Sequence, residues 1–512
     1  MYSRFVVVAT LLCGAIAASA QVREQITVEA VDVPVYVVSK GKPVPNLTKD
    51  DFELLVNGKP QPIDYFETVD FSEVPPAPAL SVESAPLPHS EIRDRRLFLL
   101  LFDLLFNRPA AVDRSRRAAI DMVDHALPGD FFAVAMITRN GVFFTIPFLH
   151  DRDAIRRAIL QLAPSSAHDA LAISITNAER EMAEAWVPIA QGGGGRMGNE
   201  DPLPDIFAIS SPEFLSLELR LETDHVHTIA QIADRLRGLE GYKHVILFSQ
   251  GPRFLPQFLS TTYPVVDGMA SAFQSADAFL HTVDLTLMES GAADPTVMSA
   301  GAPGVIPPSA NESLLWMSAK TGGKWVHWRN LLAPALQDLS KSFSSAYRLG
   351  FKPVNARKGH NDIEVRVKNL PPGAAVSFRK GFSGSAPAKA APDTLRLADI
   401  IQNDTPQTGT PPEISIVGRR IDVVVPVIQL SKQYGAVEGA QVMLYVFNAS
   451  GVPVVSSQKT FAIPEHAAAD NVIQQKLDLV PGNYVAKVLL RAGDSLGFVK
   501  KPFEIEAAQP TQ

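Results

Sequence analysis

The chain has 512 residues, of which 46% are hydrophobic and 20% are charged, and its formal net charge is −7. This length is enough for about three or four domains of roughly 100–200 residues each. The composition is that of a globular protein, and the negative balance excludes the basic surface that nucleic-acid binding requires.

The first residues of the chain predict a secretory signal peptide over 1–20. Arg4 precedes an apolar run over 5–17, and the small residues Ala18-Ser19-Ala20 favour cleavage after Ala20. The run is shorter than the roughly 20 residues that a membrane-spanning helix needs. Because the single cysteine, Cys13, lies inside this segment, the mature protein has none, which excludes disulfides and thiol chemistry. We expect export to the periplasm or the exterior, with no integral membrane segment after cleavage.

The next segment predicts a small β unit over residues 21–71. The valine-rich stretch 26–38 favours a strand, and Val56-Asn57-Gly58-Lys59 is typical of a tight hairpin turn. Residues 72–92 are rich in Pro, Ala and Ser and show no periodicity, so we interpret them as a linker.

Strands and helices alternate over residues 93–352, which predicts a doubly wound, mostly parallel α/β domain. Apolar runs within 97–107 and 245–251 are typical of strands that are buried on both faces of such a sheet. The carboxyl ends of these strands, where this fold places its ligand site, carry Asp103, Asn107, Ser249 and Gln250. Residues 191–205 are expected to form a flexible insertion. Further strands are expected at 131–137, 278–285 and 324–328, and helices at 113–127, 151–162, 169–186, 221–239, 312–321 and 332–343.

The remainder of the chain predicts β-structure. Residues 353–382 are expected to form a β extension packed with the N-terminal unit, and residues 383–412 a second linker with a short ordered piece at 395–401. Short strands at regular spacing then predict an antiparallel, immunoglobulin-like β-sandwich over 413–506, without the disulfide of that class.

Four segments of the sequence together form a family pattern. They are VPNLTKDDFELLVNGKPQPI (44–63), LFLLLFD (97–103), GYKHVILFSQG (241–251), and TGGKWV followed by AYRLGFKPV (321–326 and 346–354). In this order and spacing the chain resembles the secreted proteins related to von Willebrand factor type A (VWFA) domains that are abundant in Acidobacteria. The resemblance covers residues 24–382 and implies a type A fold for the α/β domain.

The resemblance also implies where a metal would bind. Type A domains usually hold Mg²⁺ through Asp-x-Ser-x-Ser after the first strand, a Thr from a later loop and an Asp after the fourth strand. Here Asp103 keeps its place, but Leu105 and Asn107 stand at the serine positions and Gln250 at the late aspartate. Because leucine offers no oxygen and Mg²⁺ requires about six oxygens, we expect a degenerate site with no metal and no other cofactor. If Mg²⁺ did bind, the remaining candidates would be Asp103, Asn107, Gln250, and Ser166 and Asp169 from the loop 165–169 that corresponds to the threonine loop.

Two further signals are weak. His225-Val226-His227 lies in a predicted helix, where positions two apart do not share a face, so we expect surface histidines rather than zinc ligands. Ser249 lacks the G-x-S-x-G pattern of a hydrolase nucleophile, and Asp284 at the end of a strand is expected to cap or pair with a loop.

The sequence therefore predicts a secreted, non-enzymatic protein that binds a protein or envelope-surface partner, and it leaves the oligomeric state open. The predicted interaction surface consists of Asp103, Asn107, Gln250 and Asp284. One alternative is a secreted hydrolase that uses Ser249, Asp103 and Asp284, with His281 as the base. Another alternative is a structural spacer in an envelope assembly.

Overall fold

A computed structural model describes residues 30–73, 89–107, 109–162, 212–252, 259–286, 310–327, 331–353, 356–384 and 394–506. The expected signal peptide (1–20), the expected insertion (191–205), and both Ser166 and Asp169 lie outside these residues. Among the helices described, none is both long and apolar enough to cross a membrane.

The central sheet is mostly parallel, as the alternation predicted. Its strands are β6 (Arg96–Asp103), β7 (Phe131–Thr138), β8 (Gly141–Leu149), β9 (Tyr242–Ser249), β10 (Ala278–Asp284) and β11 (Trp325–His327), in the order β11-β10-β9-β6-β7-β8. All neighbours pair in parallel except β7 and β8. β6, β9 and β10 are buried along their whole length, which explains why their sequences do not alternate between apolar and polar residues.

Helices cover both faces of this sheet. A short helix, α1 (His89–Asp94), precedes β6. One face carries α2 (Pro109–Asp124), α3 (Arg152–Gln161) and α7 (Leu332–Ser342), and the other carries α4 (Pro212–Leu236), α5 (Leu259–Ser275) and α6 (Ala310–Thr321). Successive residues of β6 therefore enter two different cores: Phe98, Leu100 and Phe102 pack with the α2 group, and Leu97, Leu99 and Leu101 pack with the α4 group.

The N-terminal unit is built from segments that lie on either side of the α/β segment in sequence. Its strands are β1 (Val31–Ser39), β2 (Lys42–Pro43), β3 (Phe52–Val56), β4 (Lys59–Gln61), β5 (Tyr65–Asp70), β12 (Ser345–Phe351), β13 (His360–Val367), β14 (Ala375–Phe378) and β15 (Gly381–Ser383). A 3-10 helix, Lys49–Asp51, precedes β3. β3 and β4 form the expected hairpin, with positive φ at Asn57 and Gly58.

One domain boundary needs correction in this unit. Residues 345–351 were expected to end the α/β domain, but β12 pairs antiparallel with β1 and β5 and does not join the central sheet. Residues 353–382 also lie in the N-terminal unit, where β13 pairs with β3 and β14 with β1. The alternation of strand and helix cannot reveal this, because it does not say which sheet a strand joins.

The C-terminal region contains two antiparallel sheets that share one core. Sheet β16-β17-β20 has three strands and sheet β19-β18-β21-β22 has four, and a helix, α9 (Val427–Tyr434), lies between β17 and β18 in sequence. The strands are β16 (Glu413–Val417), β17 (Arg420–Val425), β18 (Val437–Asn448), β19 (Pro453–Ile463), β20 (Asn471–Lys476), β21 (Gly482–Ala492) and β22 (Ser495–Ile505).

Residues 394–412, expected to belong to a linker, are instead packed between the two regions. Residues Thr394–Asn403 form helix α8, in which Leu395 joins the α4-side core of the sheet, while Ile400 and Ile401 pack against Met443, Phe447, Leu489 and Leu496 of the C-terminal region. The short ordered piece expected at 395–401 is confirmed by this helix, and only its assignment to a linker is wrong. The Pro- and Thr-rich composition around the helix does not show that its apolar residues pack on two sides.

Candidate functional site

Three of the residues singled out from the sequence end adjacent strands of the central sheet. Asp103 ends β6, Ser249 ends β9 and Asp284 ends β10, and β6 and β9 flank the point at which the strand order reverses. The three share the face covered by α4, α5 and α6, because Leu101, Leu247 and Leu280, at even spacings before them, lie in that core. We call the C-terminal ends of β6, β9, β10 and β11 the carboxyl edge.

Asp103 is fully buried and both of its carboxylate oxygens accept hydrogen bonds. Oδ1 accepts from the backbone N–H groups of Leu105 (2.9 Å) and Phe106 (3.1 Å), and Oδ2 accepts from Ser249 Oγ (2.5 Å). Ser249 Oγ in turn accepts from the N–H of Gly251 (2.8 Å). Asp103 therefore ties the turn after β6 to the end of β9.

Asn107 makes a second bridge between the same two strands. Its Nδ2 donates to the carbonyl of Phe248 (2.7 Å), and its Oδ1 accepts from the N–H of Gln250 (2.7 Å). The primary amide supplies one donor and one acceptor to backbone groups that lie two residues apart, which a serine hydroxyl at this position could not reproduce with the same reach.

His225 lies against this network, and the prediction of a surface histidine is wrong for it. His225 is 1% exposed on α4, with Nε2 3.5 Å from Asp103 Oδ2 and its ring edge-on to Phe106, whereas His227 is exposed. Burial lowers the pKa of His225 and the Asp103 carboxylate opposes that shift. Within the described residues, neither ring nitrogen has a hydrogen-bond partner. The sequence does contain a signal that His225 is buried. It lies one helical turn before Ile229 and two turns before Ile232, so it shares the apolar face of the helix with these core residues.

Asp284 is held from one side only. Its Oδ1 accepts from the N–H (2.9 Å) and the hydroxyl (2.5 Å) of Thr286, as the expected cap of a strand end would. Its Oδ2 is buried and has no hydrogen-bond partner in the part of the chain that the structure describes. Burial raises the pKa of Asp284, and the bonds from Thr286 and the nearby His327 oppose the rise.

The residues at the carboxyl edge do not fit a Mg²⁺ site. The oxygens of Asp103 and the Asn107 side chain already accept protein hydrogen bonds, and Leu105 supplies no oxygen. No group of three or more His, Cys, Asp or Glu placed to bind a metal occurs among the described residues, which do not include Ser166 and Asp169. The expected oxygen-rich shell of a hard divalent cation is therefore not supplied by the described candidates.

The predicted interaction surface also needs correction. Asp103, Asn107 and Asp284 are between 0% and 6% exposed, and only Gln250 is partly exposed. The side chains turn onto the α4-side core because β6, β9 and β10 place every second residue there. They can shape the carboxyl edge, but they do not line its outer surface.

The structure does not place His281, the expected base of the hydrolase alternative, near Ser249. His281 is three residues before Asp284 and so projects from the opposite face of β10, where its ring packs with Phe343 and His244. Its Nδ1 accepts from the N–H of Lys324 (3.0 Å), its Nε2 lies 3.1 Å from His244 Nδ1, and burial lowers its pKa to about 3. His281 is therefore not placed to accept a proton from Ser249.

Comparisons with known proteins give only distant similarities. Neither a scan of protein-family models nor a search of curated proteins finds a match. Among solved structures, the chain is similar to a von Willebrand factor type A protein from Catenulispora acidiphila (10% identity, 87% of this chain and 74% of that one, TM-score 0.25). It is also similar to the VWA domain of SpRpn10 (10% identity, 47% and 94%, TM-score 0.21). These structural neighbours are type A domains, but such TM-scores carry no conclusion about function, and the fold of this chain is defined by its own strand order and pairing.

Proposed function

We propose that this chain is a secreted, non-enzymatic interaction protein, related to the acidobacterial VWFA proteins, that binds a protein or envelope-surface partner at the carboxyl edge without a metal. The observation that carries the proposal is the closed network of Asp103, Ser249, Asn107 and the backbone of β9. Hydrogen bonds inside the protein take the place that cation contacts would occupy. A degenerate metal site on a rigid strand scaffold is suited to binding rather than to Lewis-acid chemistry.

The state of Ser249 supports a non-enzymatic role. Its side chain is fully buried and donates to a carboxylate, and its described partners do not include a histidine. A serine nucleophile needs a general base that also reaches an accessible substrate carbonyl. The hydrolase alternative predicts cleavage of p-nitrophenyl esters that is lost in Ser249→Ala; our proposal predicts equal background rates for both proteins.

The C-terminal region supports a second binding module of immunoglobulin-like type. Its sheets of three and four antiparallel strands match that class in size, and Tyr484, at the start of β21, donates from its hydroxyl to the carbonyl of Val480 (2.8 Å). A tyrosine that bonds back to the backbone a few residues upstream, near the start of the sixth strand, is a recurrent feature of immunoglobulin-like sandwiches.

Secretion is tested by the mass of the exported protein. We expect the mature chain to begin at Gln21, because the residues before it fit a signal-peptidase site. An exported species that retains Cys13 would contradict soluble export.

The interaction itself is tested by site-specific photo-crosslinking in the native cell. A photoreactive amino acid at His327, exposed at the carboxyl edge, is compared with one at Glu240, exposed just before β9 at the opposite end of the sheet. We expect a defined protein adduct from position 327 and none from position 240. Adducts from neither position would favour the spacer alternative.

A further inference from the structure

The two lateral sides of the C-terminal sandwich differ in how they are covered. On the side of β22, Gly409 donates from its N–H to the carbonyl of Leu496 (3.0 Å), and Lys501 Nζ donates to the carbonyl of Ile414 (3.0 Å). The chain that leads into β16 therefore covers the outer edge of β22. On the other side, β19 has only β18 as a neighbour among the described strands. Because β19 lies within the continuously described range 394–506, no undescribed segment adjoins it in sequence.

β19 is a long and regular edge strand. It has 11 residues, most of its side chains are exposed, and its register against β18 is unbroken from Val455 to Phe461. Proteins commonly protect such an edge from other strands with charged residues, prolines or bulges. Between Val455 and Phe461 the strand has one charged residue, Lys459, and no proline or bulge. The edge is therefore suited to pairing with a further strand.

The sequence of β19 is complementary to itself. Antiparallel pairing of two copies about Gln458 aligns apolar residues with apolar ones and polar residues with polar ones. The pairs are Val455–Phe461, Ser456–Thr460 and Ser457–Lys459. None of these pairs sets like charges directly opposite each other. Val455 and Phe461 already pack against the sandwich core, so the pairing extends that core from one copy to the other.

We propose that β19 pairs antiparallel with β19 of a second copy of this chain, about a two-fold axis at Gln458, so that the two four-stranded sheets become one continuous sheet. Such a contact uses the same edge on both copies and is closed. Because β22 is covered, the sheet does not extend further on its other side. The inference is independent of the carboxyl edge and its partner. A single strand pair is a small interface, so we expect a Kd on the order of 10 μM.

The register is tested by disulfide crosslinking of single-cysteine variants. The protein that begins at Gln21 contains no cysteine, so each variant reports one position. Under mild oxidation, Gln458→Cys should give a covalent dimer, because cross-strand Cβ atoms at the axis are about 4.5–5.5 Å apart. Val454→Cys and Ala462→Cys, exposed on the same face of β19, should not, because each lies about 25 Å from its copy. Equal crosslinking at the three positions would overturn the inference.

Charge variants test the same pairing without a covalent bond. Ser456→Lys/Thr460→Lys changes two exposed residues and sets like charges opposite each other twice, so the Kd measured by sedimentation equilibrium should rise about tenfold. Ser456→Glu/Thr460→Glu should weaken the dimer similarly, and an equimolar mixture of the two variants should restore it. The control, Asn471→Lys/Gln474→Lys on exposed positions of β20, should leave the Kd unchanged.

Three sedimentation results would overturn the inference. The first is a monomer at about twenty times the expected Kd, where a dimer of this affinity would predominate. The second is a species larger than a dimer, which a closed two-fold contact does not form. The third is a mixture of the lysine and glutamate variants that associates no better than either variant alone, since the proposed register sets their opposite charges against each other.

Discussion

The two edges of the central sheet hold buried charge in opposite ways. At the amino edge, where β6 begins, Arg95 and Arg96 are about 1% exposed and each donates two hydrogen bonds to one carboxylate, Arg95 to Asp399 and Arg96 to Asp130. At the carboxyl edge, Asp103 is held by hydroxyl and backbone donors, and Asp284 accepts hydrogen bonds from Thr286 and from no other described residue. The two arginines at the amino edge have matched carboxylates, although Lys243 at the start of β9 is buried there with the Leu239 carbonyl as its hydrogen-bond acceptor. The two acids at the carboxyl edge have no lysine or arginine partner among the described residues.

The arginine pairs of the amino edge bear on the stability of the domain. A bidentate guanidinium–carboxylate pair satisfies both partners and fixes their geometry, so these two pairs contribute to stability and leave no free charge of their own for a ligand. The pairs there join distant parts of the chain: Arg95 reaches α8, and Arg96 also donates to the carbonyls of Ser340 and Phe343 at the end of α7. At the carboxyl edge, the buried Asp284 Oδ2 has no hydrogen-bond partner among the described residues.

The largest effect is expected when the amino-edge pair within the domain is broken. Asp130→Ala should lower the free energy of unfolding of the α/β domain by about 3–5 kcal/mol, because it leaves the buried Arg96 guanidinium without its carboxylate. The four tryptophans, Trp186, Trp316, Trp325 and Trp328, all belong to this segment of the chain, so their fluorescence during urea unfolding reports it. The control is Asp124→Ala, whose ion pair with Arg156 is more than one-third exposed and should contribute under about 1 kcal/mol. Equal losses in the two variants would contradict the comparison.

A similar loss, at the lower end near about 3 kcal/mol, is expected for Asp399→Ala. Arg95 retains a bond to the carbonyl of Glu240 (3.3 Å), but α8 loses its ion pair, and Asn403 and Thr405 lose an acceptor. The sharper readout is limited proteolysis. Residues 394–412 should resist cleavage in the unmodified protein and become a cleavage site in the variant. Cleavage within residues 394–412 at equal rates in both proteins would support the original interpretation of this segment as a linker.

The sequence predicts which segments form the strands of the central sheet better than it predicts which elements pack or pair with one another. The apolar runs of β6 and β9 and the Asn57-Gly58 turn carry local signals, since burial on both faces and positive φ leave direct marks on composition. Helix α5 leaves no such mark, because Pro264, Gly268 and its β-branched residues are poor helix formers that only packing makes helical.

The site shows the same limit. Asp103, Ser249 and Asp284 could be placed together because they end strands of one parallel sheet. That His225 approaches Asp103 from α4, and that His281 faces away, depend on tertiary packing and on strand register.

An intermediate effect is expected from acid, on the face opposite the candidate site. The N–H of Lys324 donates to His281 Nδ1, so the proton of His281 is on Nε2 and is donated to His244 Nδ1, which leaves both rings neutral. Burial lowers the pKa of His281 to about 3 and that of His244 well below its usual value, and the nearby Lys324 and Arg96 add to these shifts.

Because the pKa values of these histidines are lowered in the folded state, their contribution to stability is complete above pH 6.5 and is lost as pH falls toward 3. Between pH 6.5 and 4.5, His281 alone should lower the free energy of unfolding by about 2.3 kcal/mol. Urea unfolding across this range measures the loss, and His281→Phe, which keeps a stacked ring, should reduce its slope. The hydroxyl of Tyr36 in β1 lies 3.4 Å from His244 Nε2. Because protonation of His244 would disturb this contact, the packing of the N-terminal unit on the sheet should weaken over the same pH range. An unchanged slope in His281→Phe would show that other groups control acid stability.

The smallest effect is expected from Mg²⁺. If the carboxyl edge does not bind a metal, Mg²⁺ should leave the melting temperature of the α/β domain unchanged. If the carboxyl edge were a metal site, an ion at a hundred times its Kd would raise the free energy of unfolding by about 2.7 kcal/mol, nearly as much as an amino-edge ion pair. Melting of the α/β domain, followed by tryptophan fluorescence, should instead give the same Tm in millimolar MgCl₂ and in chelator. Asp103→Ala serves as the control for any shift through weak surface binding. A rise of several degrees with Mg²⁺ that disappears in Asp103→Ala would mean that Asp103 exchanges Ser249 for a cation, and the two edges would then both be neutralised, one by arginine and the other by metal.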